Sequence, residues 1–273
     1  MIRIKKGIKM RPVILVTSFG TSYSSSRSIT IGAIESTIAE TFPGFEVRRA
    51  FTSNIIRKIL KERDGIVIDS VPQALEKLAA EGVREVYIMP THVMEGEEYD
   101  VKIAGEAEKF KGRFDTIKVG HALLTKDADL MALIDAVDEA TAEFKDGRTA
   151  RVFMGHGTEH EANSVYAKLQ SFIKERGIKD MFIGTVEATP TLDDTIQSVK
   201  KSGAKRVVLS PLMMVAGDHA VNDMAGDDDD SWKSAFKKAG FEVICRVTGL
   251  GSQYGIQKMI AEHCREMTEG AGN

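Results

Sequence analysis

The chain has 273 residues, 42% of them hydrophobic and 28% charged, and its 40 acidic and 37 basic residues leave a formal charge of −3. This is a globular mix, with no window near the ~20 apolar residues of a membrane helix and without the basic surface that generic nucleic-acid binding demands. At ~150 residues per domain the length allows one large domain or two small ones, and a chain this long buries ~75% of its unfolded surface, enough to fold without disulfides.

Met1 to Arg11 is basic but lacks both a signal-length apolar core and a small-residue cleavage site. Met10 is an alternative start, which would make the first nine residues a disordered extension. From there, apolar and β-branched runs alternate with amphipathic stretches. Strand Pro12–Thr17 precedes helix Ser28–Glu40, and strand Phe45–Ala50 precedes helix Val71–Glu81. Strands Glu85–Met89 and Thr116–His121 follow, then helix Ala128–Phe144 and strand Ala150–Met154. Helix Asn163–Arg176, strand Asp180–Thr185, helix Thr191–Lys201 and strands Arg206–Leu209 and Glu242–Val247 lead to a last helix, Gln253–Met267. The alternation predicts an α/β fold of βαβ units, parallel sheets flanked by helices on both faces. The only cysteines, Cys245 and Cys264, form no CxxC zinc site and fit a reducing, cytoplasmic setting.

The sequence also repeats itself. Glu81–Pro90 has the pattern of Ser202–Pro211, so Pro90 matches Pro211 at an offset of 121 residues, and Gly96 then meets Gly217. Ser18-Phe19-Gly20-Thr21 resembles Gly155-His156-Gly157-Thr158 at an offset of 137, where Phe45 meets Phe182 and Ala50 meets Glu187. Helix–Gly–strand–Pro is common punctuation, but several landmarks in the same order favour a duplication. Two similar halves then face each other across a cleft, with the boundary between Lys126 and Arg148. We divide the chain into residues 1–127 and 128–273, the last helix (about 252–267) being a candidate to pack back on the first domain.

In such sheets ligands lie beyond the carboxyl ends of the strands. Three groups of the second half fall there: His156, Glu187 and His219. Imidazole and carboxylate together suit a divalent first-row metal, although any one of these histidines alone reads as an ordinary loop residue. The matching first-half positions are Phe19, Ala50 and Glu98, an apolar wall plus one carboxylate, suited to gripping a large flat ligand over a metal. Ser18, Phe19 and Thr21 are candidate ligand-binding residues, presenting N–H groups and hydroxyls to an anion; helix capping by the same Ser and Thr is the competing explanation. His160 at most supports the site from behind, His92 and His121 read as hydrogen-bonded loop residues, and His263 as structural. The Asp227–Asp230 run reads as a solvated helix start. No Walker or GxGxxG sequence occurs, so no nucleotide is expected.

Met154–Thr158 and Pro211–Ala220, with Ser18–Ser22 and Asn222–Asp227, resemble the anaerobic cobalt chelatases, the sirohydrochlorin cobaltochelatase type within the class II chelatases. The resemblance runs from about Met10 to Met267. It implies two flavodoxin-like halves around a tetrapyrrole cleft and ATP-independent insertion of Co²⁺ into sirohydrochlorin in cobalamin biosynthesis. It places the family's metal ligands on His156, Glu187 and His219. We expect His156, His219 and Glu98 to act in catalysis, with Co²⁺ as substrate metal and sirohydrochlorin as partner, and no nucleic acid or membrane. The resemblance leaves haem binding and a homo-oligomeric state open, and Fe²⁺ or Ni²⁺ insertion, or a non-catalytic tetrapyrrole or metal carrier, as alternatives.

Overall fold

The computed structural model describes residues 10–269; the questions of the start at Met1 or Met10 and of a disordered extension lie outside the described residues. Eight strands form, each within a few residues of its expected place: β1 (Val13–Ser18), β2 (Glu46–Phe51), β3 (Glu85–Pro90), β4 (Thr116–Val119), β5 (Thr149–Gly155), β6 (Met181–Thr185), β7 (Arg206–Pro211) and β8 (Glu242–Cys245). They make two parallel sheets of the same topology, β2-β1-β3-β4 and β6-β5-β7-β8. The central strands β1 and β5 are buried along their whole length. Their side chains point alternately to two helical layers, which is why they read as unbroken apolar runs. The edge strands β2, β4 and β8 are half-exposed and carry charge, as edges do when they must avoid pairing further.

The duplication extends to individual hydrogen bonds. Thr17 of β1 pairs with Pro90 of β3, and Met154 of β5 with Pro211 of β7, which keeps the expected offsets of 137 and 121 residues. Gly20 and Gly157, matched at the first offset, both have positive φ, 99° and 86°. After β3, His92 O accepts from Leu123 N, and after β7 Met213 O accepts from Leu250 N, each at 2.9 Å. One expected match fails. Thr17 pairs with Ala50, but Met154 pairs with Gly184, so Ala50 corresponds to Gly184 and not to Glu187. The counterpart of Glu187 is Ser53: Ser53 N bonds Phe19 O at 3.2 Å as Glu187 N bonds His156 O at 2.9 Å. The connection from β1 to β2 is three residues longer than that from β5 to β6, which a single offset cannot absorb.

Each half lends its last helix to the other. Helix Asp127–Ala140 leaves the first sheet and packs on helix Ser164–Glu175 of the second. Arg151 of β5, only 1% exposed, ties it down by donating to Asp138 at 2.7 Å and Thr141 at 3.1 Å while gripping Asp180. The C-terminal helix Tyr254–Thr268 returns to the first half, against helix Ala33–Thr41. There Gln257 Oε1 accepts from Thr37 at 3.1 Å, and Met267 O accepts from Lys118 at 3.2 Å. The two exchanged helices meet at a buried His263–Asp129 pair, 3.0 Å. In consequence one core cluster runs through both halves, from Ile14 and Tyr87 through Leu133 and Ile260 to Phe153 and Leu169. Among the described residues, no helix is long and apolar enough to cross a membrane.

Candidate functional site

The carboxyl ends of β5, β6 and β7 carry His156, Glu187 and His219. His156 follows β5 on a loop that only glycine permits. Gly157 has φ +86°, and a Cβ there would lie 2.8 Å from Ala188 N. A Cβ on Gly155 would lie 2.3 Å from the ring of Tyr166, which is 2% exposed and packs directly beneath the loop. Burial raises the Tyr166 phenol, partly countered by hydrogen bonds from the backbone of Gly157 and His156. The loop under His156 is therefore held from below by a buried, neutral phenol. His219 stands where the loop after β7 enters a helix. The turn that follows, Ala220–Met224, is a π-helix, anchored by buried Ala220 and Met224. Such single wide turns are frequent at functional sites.

The two imidazoles meet edge to face, with ring centroids 4.6 Å apart, and their Nε2 atoms are 3.1 Å apart. Their other nitrogens are engaged: His156 Nδ1 faces Gly157 O at 2.8 Å, and His219 Nδ1 faces Asp223 Oδ2 at 2.5 Å. A carbonyl and a carboxylate can only accept, so both Nδ1 atoms carry the proton. The two Nε2 atoms then face one another, at a separation satisfied by a proton shared between them or by a metal ion held by both. With metal–nitrogen bonds of about 2.1 Å, donors this far apart subtend about 95° at an ion, an ordinary coordination angle. Glu187 Oε2 lies 3.6 Å from His156, but on the Nδ1 side, and its side chain is 55% exposed. The structure thus joins two of the three expected ligands at one point and brings the third alongside. No closed set of three His, Cys, Asp or Glu ligands occurs among the described residues.

The first half contributes different chemistry. Phe19, the counterpart of His156, is 49% exposed. Ser18 and Thr21 are buried, and their hydroxyls turn inward. Ser18 Oγ accepts from Thr91 at 2.8 Å and Thr21 Oγ1 from Tyr23 N at 3.2 Å. Of the three expected ligand-binding residues, only Phe19 stands open, because Thr91 takes the Ser18 hydroxyl and the local turn takes that of Thr21. Glu98 is half-buried in a short helix, Glu97–Tyr99, and makes no hydrogen bond or ion pair with another described residue. This helix runs into a π-turn, Asp100–Ala104, the counterpart of the one after His219. From it Asp100 comes within 3.6 Å of His160 Nε2, so this element reaches the loop that carries His156 in the second half. His160 also caps a 3₁₀ turn, its Nδ1 accepting from Ala162 N at 3.1 Å.

The remaining histidines diverge from one another. His121 bonds Glu95 at 2.9 Å. His263 is structural, as expected. His92 is not the hydrogen-bonded loop residue expected: both ring nitrogens are buried with no partner, and burial lowers its pKa to about 4. The acidic run behaves as a solvated helix lead-in. Asp229 is 97% exposed, and Ser231 caps helix Trp232–Lys238. Sequence reasoning missed Asp223 and Tyr166. The i,i+4 spacing of His219 and Asp223 was the available signal; nothing local marks Tyr166.

Comparison with known proteins gives a consistent picture. The family model "Cobalt chelatase (CbiK)" matches residues 12–269. The chain is 39% identical to a sirohydrochlorin cobaltochelatase of Salmonella typhimurium over 94% of this chain and 96% of the relative. It is 34% identical to the sirohydrochlorin cobaltochelatase CbiKC of Nitratidesulfovibrio vulgaris, over 95% and 89%. Among solved structures, SirB from Bacillus subtilis is similar in fold alone, with a TM-score of 0.65 at 11% identity over 96% of this chain and 98% of that one.

Proposed function

The chain belongs to the cobalt chelatase (CbiK) family, and we propose from that membership and from its own site that it inserts Co²⁺ into sirohydrochlorin, without ATP, as a lyase of cobalamin biosynthesis. One observation carries the site assignment: two imidazoles beyond the carboxyl ends of β5 and β7, held with their Nε2 atoms 3.1 Å apart. His156 and His219 are the primary ligands of the incoming ion. Glu187, long and exposed, completes the set by swinging from the Nδ1 side of His156. Cys245 and Cys264 are both free thiols, in keeping with a cytoplasmic enzyme.

Insertion exchanges one divalent ion for two pyrrole N–H protons, so the site needs a metal holder, a grip on the macrocycle and a base. The histidines hold the metal and, once they have passed it on, each is a neutral imidazole able to take a proton. Phe19 offers the apolar surface opposite them. Glu98, with no competing partner and on the helix that reaches His160's loop, is the carboxylate for the pyrrole protons. Binding of the macrocycle's periphery offsets the distortion that turns its nitrogens toward the ion.

An absorbance assay with metal-free sirohydrochlorin and Co²⁺, Fe²⁺ or Ni²⁺ in parallel tests this. Rapid conversion with Co²⁺ is expected, and its loss in folded His156→Ala and His219→Ala variants. Binding of sirohydrochlorin without metallation would make the protein a carrier, and preference for Fe²⁺ or Ni²⁺ would move the assignment to that metal.

A further inference from the structure

Two histidines converge on one point only if both rings are held in one tautomer and one orientation, and the chain holds them differently. His156 relies on a carbonyl one residue away, Gly157 O at 2.8 Å, on a loop braced by Tyr166. His219 has no such backbone acceptor. Its Nδ1 is met by a single side-chain oxygen, Asp223 Oδ2, at 2.5 Å. Asp223 lies inside the π-turn Ala220–Met224, four residues after the imidazole it meets. The turn itself is fixed independently of that contact. Ala220 and Met224 are fully buried, Gly226 N closes on Asn222 O at 2.9 Å, and a Cβ on Gly226 would lie 2.3 Å from the same oxygen. Asp223 therefore projects from a rigid platform and is 42% exposed, with no other hydrogen-bond partner among the described residues.

We infer that Asp223 is the positioning residue of the metal site: by accepting the Nδ1 proton of His219 it keeps that ring's Nε2 bare and aimed at the Nε2 of His156. The carboxylate also makes the imidazole a stronger donor, as outer partners of metal-bound histidines do. Without it, His219 can rotate about χ2 or take the other tautomer, and one of the two converging lone pairs is lost. The first half has nothing equivalent: at the 121-residue offset Glu98 stands in place of His219 and Lys102 in place of Asp223. The inference rests on the proposed metal site, and the test separates the two.

The test uses the full chain with Asp223→Ala, Asp223→Asn and His219→Ala, followed by equilibrium Co²⁺ titration without sirohydrochlorin. The readouts are the d–d absorption of bound Co²⁺ and thermal melting. Asp223→Ala should weaken Co²⁺ binding by roughly 10–100-fold and alter the absorption, with melting unchanged because the side chain is half-exposed. Asp223→Asn, which keeps an acceptor but not the charge, should fall between Ala and wild type. Wild-type affinity and spectrum in Asp223→Ala, with His219→Ala impaired, would overturn the positioning role alone, whereas wild-type binding by His219→Ala would overturn the metal site itself. An Asn variant no better than Ala would also overturn the inference, because it would make Asp223 a direct ligand. Should Asp223→Ala melt early, Asp223→Val, which keeps the bulk, is read in its place by the same criteria.

Discussion

Glu98 and His92 show how the same repeat position can be used for chemistry or for none. Glu98 matches His219 at the 121-residue offset, is half-buried and is unpaired among the described residues. If it takes the pyrrole protons, Glu98→Gln should slow Co²⁺ insertion at least tenfold with little change in melting temperature. Wild-type rates would remove it from the mechanism. Glu187→Ala should weaken Co²⁺ binding less than either histidine variant, since water can replace a carboxylate ligand, and unchanged affinity would take Glu187 off the ligand set. His92 matches Met213, and its ring sits in the fold with no partner for either nitrogen. Burial lowers its pKa to about 4. The unfolded chain titrates near ~6.5, so the neutral ring's contribution is complete above that pH, declines as pH falls, and is gone below the folded value. At about 1.4 kcal/mol per unit, the penalty approaches about 3.5 kcal/mol at low pH. His92→Met copies the other half. It should be neutral to stabilising at pH 7.5 and gain a further ~2 kcal/mol by pH 5, read from urea midpoints at the two values. Parallel pH profiles for variant and wild type would refute this.

At the scale of elements, strands were the most legible part of the sequence, because residues such as Val13–Val16 and Val207–Leu209 are apolar on both faces. Helix ends with side-chain caps were nearly as clear, as at Ser70 and Thr191. The π-turns at 28–32, 100–104 and 220–224 have no sequence signature, since one widened turn is a matter of packing rather than of residue type. That is why Asp223, though inside the Asn222–Asp227 stretch that carries the resemblance, gave no sign of its contact with His219. Arg151 was equally hidden. A lone arginine inside a strand pattern gives no hint that it will fasten a helix from the other half. With its guanidinium 1% exposed and two carboxylates engaged, Arg151→Met should cost about 3 kcal/mol, the lower part of the range for breaking a buried pair, because Asp138 and Asp180 keep some access to water. The chemical-denaturation midpoint checks this. A loss below ~1 kcal/mol would mean that apolar packing alone holds the exchanged helix.

At the scale of the whole molecule, the repeat was visible from its punctuation and the last helix was a candidate to pack back on the first domain, but the buried His263–Asp129 contact that joins it to the helix starting at Asp127 was hidden. The expected division after residue 127 falls at the start of a helix that serves the second half, while Tyr254–Thr268 serves the first. Ile256, Ile260, Cys264 and Met267 lie in the same cluster as Ile14, Ile34 and Tyr87, so the first sheet's core is closed by residues 169 to 253 positions away. Two lobes joined in this way cannot separate without exposing apolar surface on both. Burial of a single large side chain stabilises by about 2 kcal/mol, and several are shared in each direction. Unfolding of the full chain should therefore be one cooperative transition by circular dichroism and by tryptophan fluorescence, although the only tryptophan, Trp232, sits in the second half. Residues 10–126 expressed alone should be poorly folded and bind a hydrophobic dye, and adding a peptide of residues 250–269 should restore part of the helical signal. Two separate transitions, or a well-folded first half without that peptide, would show that each lobe stands by itself. The exchange also bears on the cleft, because the loops carrying His156 and Asp100 face each other from lobes whose separation is fixed by these shared helices. Rigidly joined lobes favour distortion of the ligand over closure of the protein, and residues 10–249, which carry both histidines, reassembled with a peptide of residues 250–269 distinguish the two: that loosened molecule should bind Co²⁺ normally and insert it slowly.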